Sequence, residues 1–146
     1  MIVRKYGVQL VKESSTQYPL DKRLSGPTST KEIAINIYAG MDREMLSVFM
    51  LDTKNKIIGY NIISVGCLSE TLVHPREVFK AAILANASKI ILVHNHPSGD
   101  SEPSHGDIIT MKRMKDVGNL LGIELLDSLI VADDECLSMK EQGIII

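Results

Sequence analysis

His94 and His96 stand one residue apart, and Asp107 follows after a stretch holding Pro97, Gly99, Pro103 and Ser104. On an extended backbone the side chains of residues i and i+2 point the same way, so two histidines at a strand end present their rings to one point. Pro97, Gly99 and Pro103 turn the chain, and a helix opening at Ser104 carries Asp107 in its first turn, where a carboxylate reaches the same point. Neutral imidazole and carboxylate oxygen suit zinc, and three protein ligands leave the fourth tetrahedral position for water, which marks a catalytic site. Zinc lowers the pKa of such a water to about 7 and polarises a carbonyl, so the expected chemistry is hydrolysis at one zinc ion. The three ligands supply no general base.

The same residues admit other readings. Two histidines and a carboxylate also form the facial triad of non-haem Fe(II) oxygenases. A metal at this point can instead staple the loop of a non-catalytic binding module, serving a protein partner or DNA in repair. Ser104 and Asp107 have the spacing of a helix capping box, which needs no metal; the two histidines at fixed spacing tip Asp107 towards ligation. His74, before Pro75, reads as a structural histidine at a helix start, and His105 as exposed surface. Lys112, Arg113 and Lys115 read as a solvated helix face in preference to a phosphate-binding patch.

The elements that must position these residues are legible in the hydrophobic pattern. A strand is expected over residues 3–12, then a polar loop over 13–30, and a helix opening at Ser29 with Glu32 three residues on. Ile33, Ile37 and Tyr38 share a face of that helix. Residues 45–51 and 57–65 are β-branched apolar runs separated by Asp52-Thr53-Lys54-Asn55-Lys56, which predicts a hairpin. A second helix is expected from Pro75 to near Asn86, with Val78, Phe79, Ala82 and Ile83 inward. Residues 89–93 predict a doubly buried strand leading straight to His94. A third helix follows over 104–121, with Ile108, Met111, Met114 and Leu121 at helical spacing and Gly122 as its stop, and residues 123–131 return as a strand. The alternation implies a mixed sheet flanked by helices, hence a layered α/β domain.

Composition sets the outer bounds. The chain has 146 residues, 45% of them apolar and 23% charged, which suits one soluble globular domain. A formal net charge of -2 offers no broad excess of Lys and Arg, so nucleic-acid binding is not favoured. No run approaches membrane-spanning length and no secretory signal is evident, so a cytoplasmic protein with no membrane association is expected. Cys67 and Cys136 form no Cys-x-x-Cys pattern and read as small buried residues. Oligomeric state is not encoded in any of these features.

The arrangement His-x-His-x7-Ser-x2-Asp resembles the JAMM (MPN+) metalloprotease signature, and His94-Asn95-His96-Pro97-Ser98-Gly99-Asp100 with Pro103-Ser104 and Asp107 resembles its bacterial RadC-like branch. Val73-His74-Pro75-Arg76-Glu77-Val78-Phe79-Lys80, Leu51-Asp52-Thr53-Lys54-Asn55 and Leu125-Leu126-Asp127 extend the resemblance over about residues 30–140. The resemblance implies the three-layer, cytidine-deaminase-like α/β sandwich of JAB domains. It also implies zinc-dependent hydrolysis of amide or isopeptide bonds in a peptide or protein substrate. By the same resemblance Glu44 takes the place of the general base, and Ser104 that of the serine stabilising the oxyanion. Ser101 and Glu102 stand where related motifs read Pro and Thr, and Ser128 where the branch commonly has His. An N-terminal helix-hairpin-helix region, frequent in the branch, is not expected in this chain.

Overall fold

The computed structural model describes residues 1–18, 26–66 and 73–145. Among these, three helices and five strands follow in the order α1 (Gly26–Tyr38), β1 (Met45–Leu51), β2 (Ile57–Val65), α2 (Pro75–Leu84), β3 (Lys89–Asn95), α3 (His105–Leu121), β4 (Glu124–Ala132) and β5 (Glu135–Ser138). The strands form one mixed sheet in the order β2-β1-β3-β4-β5.

Burial explains that order. Every residue of β1 is buried, and β3 is buried except at Lys89, so these continuous apolar strands take the centre. β2, more exposed along its length, takes an edge. The β1–β2 hairpin closes through Asp52, whose Oδ1 accepts from the amides of Lys54 at 2.8 Å and Lys56 at 2.9 Å, while Asn55 adopts a left-handed φ of 63°. β1 runs antiparallel to β3, with Leu46 opposite His94. β3 and β4 are parallel, joined by the α3 crossover, and β5 returns antiparallel to β4.

Helices cover both sheet faces, giving three layers. Ile33, Ala34 and Tyr38 of α1 pack with Met45, Phe49, Leu51, Ile91, Val93, Leu129 and Val131. On the opposite face Val78, Phe79 and Ala82 of α2 and Met111 and Met114 of α3 pack with Val48, Ile90, Leu92 and Ile130. Tyr38 ties its layer to the sheet, because its hydroxyl donates to the Val93 carbonyl at 2.8 Å and lies 2.7 Å from Ser47 Oγ. Burial pushes the Tyr38 phenol above its ordinary pKa. No helix among the described residues is long and apolar enough to cross a membrane.

Several expectations need correction. Residues 1–17 are exposed and form no strand, so the β-prone pattern at 3–12 has no partner in the sheet. The first helix opens at Gly26, three residues before Ser29; Ser29 lies buried within the helix and cannot be its N-cap. Pro27 suits that earlier start, since its fixed φ and missing N–H fit a first helical turn. Part of the polar loop expected at 13–30, residues 19–25, lies outside the described residues, as does Cys67. Ile83 and Leu121 are exposed rather than inward. The sequence did not suggest β5, a short polar strand that caps the β4 edge.

Candidate metal centre

The site forms where β3 ends and α3 begins. His94 is the penultimate residue of β3 and is 2% exposed, with Leu46 and Ile130 as cross-strand neighbours. His96 lies just past the strand, its backbone amide still donating to Val131 O at 2.8 Å. Its Nδ1 sits 2.7 Å from the Asp100 carbonyl oxygen, which can only accept. That contact places the ring proton on Nδ1 and leaves the Nε2 lone pair facing the centre.

Asp107 arrives from the first turn of α3. His94 Nε2 lies 3.2 Å from Asp107 Oδ1 and 3.2 Å from His96 Nε2, and His96 Nε2 lies 3.3 Å from Asp107 Oδ2. Tetrahedral zinc with bonds of about 2.0–2.2 Å separates its donors by roughly 3.3–3.6 Å, so the spacing and chemistry of this donor set fit that ion. Among the described residues these three form the group of His, Cys, Asp and Glu side chains able to hold a metal. The same residues perturb one another electrostatically. Burial tends to raise the Asp107 pKa, but hydrogen bonds to His94 and His96 outweigh it and hold the carboxyl well below the usual range. The Asp107 contact in turn raises His96, against the opposing effect of burial.

Its capping role leaves Asp107 free to be a candidate ligand as well. Ser104 Oγ accepts from the Asp107 amide at 3.1 Å, and Asp107 Oδ2 accepts from the Ser104 amide at 2.8 Å, a complete capping box. Ser104 is exposed, and its acceptor role leaves the hydroxyl hydrogen available to another group. Loop 97–103 is braced from within: Glu102 N donates to Asp100 Oδ1 at 2.9 Å, and Gly99 has a φ of 82°. That left-handed φ favours glycine in the turn before Asp100; a Cβ there would also meet Asp133 Oδ2 at 2.7 Å, a side-chain tip that can turn aside.

Glu44 lies immediately before β1, the strand beside β3. The β1–β3 pairing ends at Leu46 and His94, two residues short of Glu44 and His96, and the Glu44 charge helps raise the His96 pKa. Glu44 is half-buried, and its carbonyl accepts from Gly66 N at 2.7 Å.

Other candidates lie elsewhere. His74 stands at the start of α2, as expected, but it is exposed and its side chain makes no capping bond; its carbonyl instead accepts from the amides of Glu77 and Val78. His105 is exposed, as are Lys112 and Arg113 on α3, with Lys115 half-buried. Cys136 is half-buried beside the α1 layer, which pushes its thiol up to about 12.

Sequence reasoning missed two buried polar residues. Asn95 lies between the histidines and is 4% exposed; its Oδ1 accepts from Met45 N at 2.7 Å and its Nδ2 donates to Arg43 O at 3.0 Å. The only signal was an amide side chain inside an otherwise apolar strand. Asp127 accepts from Ser138 Oγ at 2.6 Å and from the amides of Ser128 at 2.7 Å and Lys140 at 3.1 Å. Ser128 is buried, and among the described residues neither its Oγ nor His94 Nδ1 has a hydrogen-bond partner.

Comparison with known proteins adds a family. Residues 24–144 match the profile of the RadC-like JAB domain. A UPF0758 protein of Desulfitobacterium hafniense is 43% identical over 142 residues, which is 97% of this chain and 63% of that protein. A UPF0758 protein of Finegoldia magna is 44% identical over 136 residues, 92% of this chain and 61% of its own. One from Caldanaerobacter subterraneus is 53% identical over 103 residues, 70% of this chain and 44% of its own. The chain thus spans between 44% and 63% of the length of these relatives.

Proposed function

From the premise that this chain belongs to the RadC-like JAB domain family, we propose that it is a zinc-dependent metallohydrolase of the JAMM type, cleaving an amide or isopeptide bond. The observation that carries this reading is the convergence of His94, His96 and Asp107 at donor spacings of 3.2–3.3 Å, with Glu44 immediately before the adjoining strand β1. His94 Nε2, His96 Nε2 and a carboxylate oxygen of Asp107 would hold the ion. When bound, zinc supplies a Lewis acid and a water acidified to a pKa of about 7.

The chain's own residues supply the rest. Glu44 accepts a proton from the attacking water and returns it to the departing amine, a general base and acid in turn. The Ser104 hydroxyl donates to the oxyanion that develops on the scissile carbonyl oxygen. The Asp100 carbonyl keeps the His96 ring in its ligating tautomer. The substrate class proposed is a peptide or protein. A cytoplasmic setting belongs to the same reading, supported by cysteines without a pairing pattern.

The test is a screen of the zinc-loaded protein against peptide and lysine-isopeptide libraries, with new amine ends read by mass spectrometry. Cleavage by the wild type that is abolished by chelation and by Glu44→Gln supports the proposal. Bound iron with oxygen-dependent turnover overturns it, as does a Glu44→Gln variant that cleaves at the wild-type rate.

A further inference from the structure

We infer that Asn95 is a positioning residue that fixes Glu44 against the metal centre; this rests on the reading of Glu44 as general base. The β1–β3 ladder ends at the pair Leu46 and His94, and the next pair in register is Met45 with Asn95. There the Asn95 side chain takes over from the backbone, accepting from Met45 N at 2.7 Å and donating to Arg43 O at 3.0 Å.

Those two groups belong to the two peptide units flanking Glu44. The Arg43 carbonyl lies in the peptide before it and the Met45 amide in the peptide after it. Fixing both planes fixes φ and ψ of Glu44, and so the direction of its Cα–Cβ bond. The Gly66 amide, donating to Glu44 O at 2.7 Å, steadies the second plane from the other side.

Position and chemistry both suit the role. Asn95 is the last residue of β3 and sits between His94 on that strand and His96 just past it, so the clamp and two of the candidate ligands share one short stretch of chain. Asn95 is 4% exposed; its bond to Met45 N is buried and its bond to Arg43 O is partly buried. The task needs an acceptor and a donor at fixed separation, and the amide pairs both groups in only one of its two orientations. Aspartate would keep the acceptor and lose the donor, and leucine would lose both.

Acetohydroxamate binding to the zinc-loaded protein tests this without a known substrate. A hydroxamate chelates zinc and gives its N-hydroxyl proton to a correctly placed carboxylate, so its affinity reports where Glu44 points. Wild type, Glu44→Gln, Asn95→Leu and the double variant are compared by calorimetry at equal zinc content. Each single variant is expected to bind acetohydroxamate about 10–100-fold more weakly, and the double no more weakly than Glu44→Gln. If Asn95→Leu does not fold, Asn95→Asp serves, with a loss in the same direction. Weakened binding by Glu44→Gln beside wild-type binding by the Asn95 variants overturns the inference and leaves the base in place. Wild-type binding by Glu44→Gln overturns both.

Discussion

Asp107 and Ser104 hold each other reciprocally, carboxylate to amide at 2.8 Å and hydroxyl to amide at 3.1 Å, while the same carboxylate faces both histidines. The helix cap therefore orients the third candidate ligand. Ser104→Ala removes half of the box and should cost about 1 kcal/mol of stability. Because Asp107 keeps its bond to the Ser104 amide, zinc stoichiometry should survive. Thermal melts with elemental analysis check this; full loss of zinc in Ser104→Ala would show that the hydroxyl is indispensable to the centre.

The charges at the site give zinc and protons opposite effects. With zinc removed, the raised His96 pKa contributes stability that is full below about pH 6.5 and lost as pH rises through the folded value. Asp107, depressed, contributes above about pH 4 and loses that contribution only in strong acid. Zinc needs neutral imidazoles, so its stabilisation grows with pH through the range where His96 gives up its proton. The difference in Tm between zinc-loaded and chelated protein should widen from about pH 5.5 to about pH 8. A difference that narrows over this range would contradict the assignment.

Close packing behind the site makes a separate prediction. A Cβ at Gly118 would meet Ile123 O at 2.5 Å and Phe79 Cζ at 3.4 Å, so α3 lies against the chain entering β4 with no room for a methyl group. Gly118→Ala gains helix propensity but must displace backbone, and a net loss of roughly 1–3 kcal/mol is expected in denaturant unfolding. Unchanged or increased stability would show that α3 can shift freely.

Asp127 secures the corner of β4 and β5. Replacing it with Ala leaves the Ser138 hydroxyl and the amides of Ser128 and Lys140 without their acceptor. Asp127→Ala should lose about 3 kcal/mol or more in denaturant unfolding. Asp127→Asn, which keeps an acceptor oxygen, should lose less; equal losses would assign the effect to charge instead of hydrogen bonding.

The hairpin strands and the clustering of the candidate ligands were legible because local pattern and tertiary environment agree there. Met45–Leu51 and Ile57–Val65 are apolar runs around an Asp52 turn, and strand and helix geometry bring His94, His96 and Asp107 together. Gly122 ends α3 with a left-handed φ of 72°, as its type suggested. The misses are residues whose role depends on distant partners. Asn95 acts on residues about fifty positions away, and β5 is a strand only because β4 offers an edge. The 3–12 segment has strand-forming residues but no strand to pair with.

The account stands most directly on the metal content of purified wild-type and His94→Ala protein. Elemental analysis should find about one zinc per wild-type chain and a near-complete loss in His94→Ala. Equal zinc in both proteins, or iron in its place, would contradict it.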